Sequence, residues 1–153
     1  MQTSEKTQPF TAKTMLLVMD GMHARFFMAM GHNVQQVAEM KADGYPLNDM
    51  EKGVSVNAGT HTVATIEDEQ LKNRVRKVFF KDVAKHLLQE HQHDTYDHLI
   101  IALPKQYTNE FPDELHNYVK EKLQIVIPKI LIHHETNDII KHIQDSLWTN
   151  TKT

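Results

Sequence analysis

The run Leu99-Ile100-Ile101-Ala102-Leu103, closed by Pro104, is the feature that most restricts what this chain can fold into. Consecutive apolar side chains over a strand's length leave neither face for water, so the segment reads as a central strand covered on both sides. Met15-Leu16-Leu17-Val18-Met19 has the same character. Strands of this kind call for a sheet with other layers packed against it.

Around these runs the remaining elements follow from turn signals and periodicity. Asp20-Gly21 and then Ala24-Arg25-Phe26-Phe27-Met28-Ala29-Met30 suggest two strands joined by a tight turn. Gly31-His32-Asn33 is the next turn, and Val34 to Met40 a third strand. From Asp43 to Thr65 there are Gly44, Pro46, Asn48, Gly53, Asn57 and Gly59 but no apolar period. That stretch is expected to be a long loop, the most mobile internal segment and a place for ligand contact.

Thr65 followed by Glu67, Asp68 and Glu69 reads as a helix start, with a hydroxyl cap and acids at the positive end of the dipole. The helix is expected to run to about Glu90, with Leu71, Val75, Val78, Phe79 and Val83 on one face. A second helix is predicted over Glu110 to Leu123, burying Leu115, Tyr118, Val119 and Leu123. Lys129 to His133 is predicted as the last strand, and Asn137 as the cap of a final helix carrying Ile140, Ile143 and Leu147. The order β-β-β, loop, α-β-α-β-α predicts an α/β fold: one three-layer domain over residues 14–148, with a mixed β-sheet flanked by helices. Residues 1–13 and 149–153 are expected to be tails, the first of them flexible.

Composition narrows the chemistry. The 153 residues contain no cysteine, which excludes disulfides, thiolate zinc sites and a thiol nucleophile. The amino terminus is polar, without the apolar stretch of a secretory signal, and no apolar run approaches the roughly 20 residues that span a bilayer. The expectation is a cytoplasmic protein with no membrane partner. A formal charge of −3 argues against a wholly basic nucleic-acid binder while leaving room for a local basic face.

Such a face is written into the first helix. Lys72, Arg74, Arg76, Lys77, Lys81 and Lys85 stand against Asp82 alone, and Arg74, Lys77, Lys81 and Lys85 fall within about 80° of one another on a helix. They can track phosphate, although an ordinary solvated helix face carries the same residue types. His86, His91, His93 and His98 cluster near the helix end, but none of their pairs has the i,i+4 spacing with an intervening acid that marks a zinc hydrolase. The helix dipole accounts for histidines there without metal, and His133-His134-Glu135 is a weaker set. No metal ligand and no cofactor is assigned. Asp20, Arg25 and Asp97 stand at strand ends, where polar residues can converge on a cleft, though Asp20 reads first as a hairpin-turn residue. No phosphate-binding loop, dinucleotide fingerprint, nucleophile elbow or Cys/His pair is present, so no catalytic residue is assigned.

Leu17-Val18-Met19-Asp20-Gly21 with Ala24-Arg25-Phe26-Phe27 resembles the opening of the bacterial host-attachment family. Phe80 to Leu88 is similar to that family's long helix, and Tyr96-Asp97-His98-Leu99-Ile100-Ile101-Ala102-Leu103-Pro104 to its following strand. The similarity extends over about residues 14 to 145. That family looks related to the middle domain of archaeal and eukaryotic peptide-release factors and of Pelota, an α/β domain that acts at the ribosome. The resemblance implies the same fold and a translation-associated role. It also implies a functional loop before the main helix, where release factors carry Gly-Gly-Gln. Asp43 to Thr65 holds no Gly-Gly pair and no Gln, and Asn57-Ala58-Gly59-Thr60-His61 stands in the similar region.

The reading that follows is a noncatalytic RNA- or ribosome-binding module. Arg74, Lys77, Lys81, Lys85 and Arg25 are its nucleic-acid contacts, and Asn57, Gly59 and His61 its loop candidates. The partner would be a ribosome or a structured RNA. Two other classes stay open: a metal-dependent or divergent hydrolase, and a protein-interaction or regulatory domain that pairs as a homodimer through a sheet edge.

Overall fold

In the computed structural model, which describes residues 9–42 and 61–152, the two continuous apolar runs lie side by side as parallel strands. β1 (Phe10–Met19), β2 (His23–Gly31) and β3 (Asn33–Lys41) form an antiparallel meander. α1 (His61–Gln92) returns the chain to β4 (His98–Ala102), which is parallel to β1 and to β5 (Leu123–Ile127). The strand order is β3-β2-β1-β4-β5. Between β4 and β5 stand two 3-10 turns, Lys105–Tyr107 and Pro112–Glu114, and the four-residue α2 (Asn117–Lys120). The last helix is α3 (Thr136–Lys152).

Because side chains alternate across a strand, β1 and β4 each feed two cores. Met15, Leu17, Met19, Leu99, Ile101 and Leu103 pack with Phe79, Phe80, Val83 and Leu87 of α1. Leu16, Val18, Ile100 and Ala102 pack with Ile139, Ile140 and Ile143 of α3. The domain is therefore the mixed sheet with helices on both faces that the apolar runs demand. β1, not β4, is the middle strand, and β4 lies one place in from the β5 edge.

Two irregularities shape the meander. Gly31 turns β2 into β3 with φ +61°, a conformation that glycine adopts without steric cost. Between Phe26 and Phe27 the pairing jumps from Ala38 to Gln36, so Val37 is a bulge. The bulge swaps the faces of β3: Val34 joins the α3 core, whereas Ala38 and Met40 pack on the α1 core.

Several boundaries differ from the sequence expectations. β1 begins at Phe10 rather than Thr14, because Phe10 reaches Gly31 and the α3 core across an irregular register. α1 begins at His61 rather than Thr65, as adding a residue to an existing helix costs far less than nucleating one. Of the expected loop Asp43 to Thr65, positions 43–60 lie outside the described residues, and the expected mobility falls with them. The predicted helix Glu110 to Leu123 is a 3-10 turn and the short α2 instead, because the cap at His116 starts a separate turn and Leu123 belongs to β5. Tyr118, expected to be buried, is 58% exposed. Val78, placed with the apolar face, is equally exposed because it projects 60° from Val75 toward the cationic side.

The last strand is Leu123–Ile127 and not Lys129–His133. The position beside β4 admits one strand, and Leu99 N–H donates to Lys122 O while Leu103 N–H donates to Ile127 O, so the earlier segment occupies it. Leu131 and Ile132 still bury their side chains in the α3 core without pairing. α3 begins at Thr136, one residue before the expected cap.

Candidate nucleic-acid interface

α1 is anchored on the sheet by Val75, Phe79, Phe80, Val83, Ala84 and Leu87. That spacing turns Arg74, Lys77, Lys81 and Lys85 to the opposite side, where all four are exposed. None of the four has a hydrogen-bond or ion-pair partner among the described residues. Lys77, Lys81 and Lys85 follow at i,i+4 spacing, where like charges cost a helix about 0.2–0.5 kcal/mol per pair. From Arg74 to Lys85 the stripe is about 16 Å long at 1.5 Å per residue.

Arg76 serves another purpose. Its Nε and Nη2 donate to the two carboxylate oxygens of Glu110 at 2.8 and 3.2 Å, its Nη1 donates to Asn73 Oδ1 at 2.7 Å, and its guanidinium lies 5.4 Å from the Tyr107 ring centre. The bond to Glu110 raises the guanidinium further above its ordinary value. Tyr107 and Phe111 in turn meet Phe80 edge-on, each with centroids 5.3 Å apart. These contacts bind the connection after β4 to the middle of α1.

Beside them a cleft of about 270 Å³ opens where β1 and β4 end, lined by Asp20, Gly21, Lys72, Arg76 and Tyr107 among others. Asp20 is committed to the hairpin turn, its Oδ1 accepting the N–H groups of Met22 and His23 at 2.8 and 2.7 Å. A Cβ on Gly21 would stand 3.2 Å from the Tyr107 hydroxyl oxygen, so the close approach of this turn favours glycine.

Asp20, Arg25 and Asp97 do not converge. Asp97 precedes β4, at the end of the sheet opposite Asp20, since β1 and β4 run parallel. Arg25 projects to the α3 face, away from the α1 stripe. There its Nη1 donates to the carbonyls of Ile132 and His134 at 3.1 and 2.8 Å, its Nε donates to Gln36 Oε1, and its guanidinium lies over Phe27. Asn57 and Gly59 lie outside the described residues, and His61 is the first residue of α1.

The histidines near the end of α1 are drawn to different neighbours. His86 packs its ring edge against Phe26 at 4.7 Å, and His91 lies 6.3 Å from Tyr96 and 6.0 Å from Tyr118. Among the described residues no three His, Asp or Glu side chains gather as a metal-binding group. Tyr96 donates its hydroxyl to Leu87 O at 2.8 Å, and burial with nearby Glu90 pushes its pKa up to about 12.

A feature missed in the sequence lies next to His91. In α2 the Nδ1 of His116 accepts the Tyr118 N–H at 3.1 Å, and the His116 and Tyr118 ring centres are 4.7 Å apart. Val119 is buried, which sends Tyr118 outward. The same spacing that predicted a long amphipathic helix concealed this, because α2 is too short to bury both.

The architecture defines an α/β domain with a three-strand antiparallel meander extended by two parallel strands, carrying a cationic helix face. The family model for Bacterial archaeo-eukaryotic release factor family 12 matches residues 13–143, and the chain belongs to that family. No curated protein matches the chain. Among solved structures, it is similar to the archaeal translation termination factor aRF1 at 13% identity and TM-score 0.47, over 91% of this chain and 39% of that one. It is also similar to the ethanolamine utilization protein EutJ from Carboxydothermus hydrogenoformans at 14% identity and TM-score 0.43, over 78% of this chain and 45% of that one. The chain thus spans less than half the length of either. No described helix is long and apolar enough to cross a membrane.

Proposed function

We propose that this protein is a noncatalytic RNA- or ribosome-binding module of the cytoplasm, in which the outer face of α1 holds phosphate. The observation that carries the reading is the exposed stripe of Arg74, Lys77, Lys81 and Lys85, left without partners among the described residues. Side-by-side cations at i,i+4 cost the isolated helix a little stability, and a polyanion repays that cost on binding by releasing its counterions. Membership in a release-factor family supports a ribosomal setting. The lack of Gly-Gly-Gln between Asp43 and Thr65 supports binding without peptide release. Arg25, tied to the loop before α3, is not needed by this interface.

The test is sedimentation of the tagged chain with ribosomes over a salt series. Retention at low salt that falls steeply as salt rises is the expected result. Absence of retention at low salt overturns the reading and favours a protein-interaction domain.

A further inference from the structure

Tyr118 is an aromatic side chain left exposed, with 58% of it open to solvent. Its orientation is set from two sides. The His116 side chain caps the backbone N–H of Tyr118 and places its own ring 4.7 Å away, and His91 brings a ring to 6.0 Å from the last turn of α1. An aromatic ring held this way loses little conformational entropy when a second flat group stacks on it.

His91 also ties this ring to the cationic stripe. It follows Lys85 by six positions on the same helix, about 9 Å along the axis and about 120° around it, on the side of the helix nearer Lys77 and Lys81. Lys120 adds an exposed cation on α2. Exposed cations on the same face of the domain as an exposed aromatic ring are the combination that holds unpaired nucleotides, phosphate on the cations and a base on the ring. A duplex offers its phosphates to such a row but keeps its bases stacked inside.

We propose that Tyr118 is a stacking platform for one unpaired base, and that the ligand of the α1 stripe is single-stranded RNA. This rests on the RNA-binding reading above and gives it a substrate class.

The experiment measures fluorescence anisotropy of a labelled single-stranded RNA of roughly 12 nucleotides, and of its duplex, with the full chain and with Tyr118→Ala and Tyr118→Trp. Tyr118→Ala is expected to weaken single-strand binding by about tenfold, the usual scale for loss of one base–aromatic stack. Tyr118→Trp keeps the affinity, duplex binding is unchanged in both variants, and the salt slope stays the same because no phosphate contact is removed. Thermal unfolding confirms that both variants fold. Wild-type binding that Tyr118→Ala leaves unchanged, or that Tyr118→Ala weakens equally for duplex and single strand, overturns the platform and leaves the stripe standing. Wild type that binds neither RNA at low salt overturns the stripe and the platform together.

Discussion

Arg76 and Glu110 form a two-pronged ion pair, at 2.8 and 3.2 Å, across 34 positions of sequence. The pair clamps the connection after β4 to α1, with the Tyr107 ring beneath the guanidinium. Both side chains are partly open to water, at 17% and 36% exposure, so screening trims its worth. A double-mutant cycle of Arg76→Ala and Glu110→Ala, followed by urea unfolding, should return a coupling of about 0.5–1 kcal/mol that shrinks with salt. Arg76→Lys should keep only part of it, because an ammonium lacks the fork that meets both oxygens. A coupling of zero would mean that the clamp contributes nothing to folding.

Tyr96 makes stability fall at high pH. Its folded pKa of about 12 lies above the ordinary value near 10, so the folded state holds the proton that the unfolded chain releases. The stabilisation is complete below about pH 10 and is lost as pH climbs from there through about 12, a change on the order of 2 kcal/mol. Tyr96→Phe should cost about 1 kcal/mol at neutral pH for the lost bond to Leu87 O. In urea titrations from pH 8 to 12, the gap between wild type and this variant should narrow as pH rises and reverse before pH 12. A gap that stays constant would contradict the buried phenol.

Asp94 ends α1 with φ 54°, and the bonds Asp94 N–H to His91 O and Thr95 N–H to Glu90 O make this a Schellman turn. A left-handed conformation suits glycine, and a carboxylate at a helix C-terminus opposes the dipole. Asp94→Gly is expected to stabilise the protein by about 0.5–1 kcal/mol, raising Tm by roughly 1–4 °C. The bond from Lys13 Nζ to the Asp94 carbonyl survives the change. Asp94→Ala, with a Cβ in the same conformation, should give no such gain.

Reversing Arg74, Lys77, Lys81 and Lys85 to Glu should remove most RNA or ribosome retention while leaving folding nearly intact, since all four are exposed. If all four meet single-strand phosphate, the slope of log affinity against log salt should be about −3 for wild type and close to zero for the variant. Undiminished retention by the folded variant would remove the stripe as the interface.

The amino-acid sequence by itself determined the middle of this protein. Met15–Met19 and Leu99–Leu103 have no polar alternation and are bounded by turn residues at strand length, so they read as strands covered twice, and the 3.6-residue spacing of Val75, Phe79 and Val83 reads as a helix lying on them. The same spacing turned Arg74, Lys77, Lys81 and Lys85 outward, because a helix long enough for several turns has one orientation that buries its apolar side. Tertiary structure decided the rest, where two segments competed for one place or an element was too short to average its errors. Leu123–Ile127 and Ile130-Leu131-Ile132 are both apolar enough for a strand, and only the single vacant edge of β4 selected the first. Arg25 reads as a surface cation until strand parity aims it at the Ile132 and His134 carbonyls. Tyr118 reads as core until a four-residue helix that buries Val119 turns it to solvent. Local periodicity carries the burial of long elements, whereas the side that a short element shows to water depends on which neighbours reach it first.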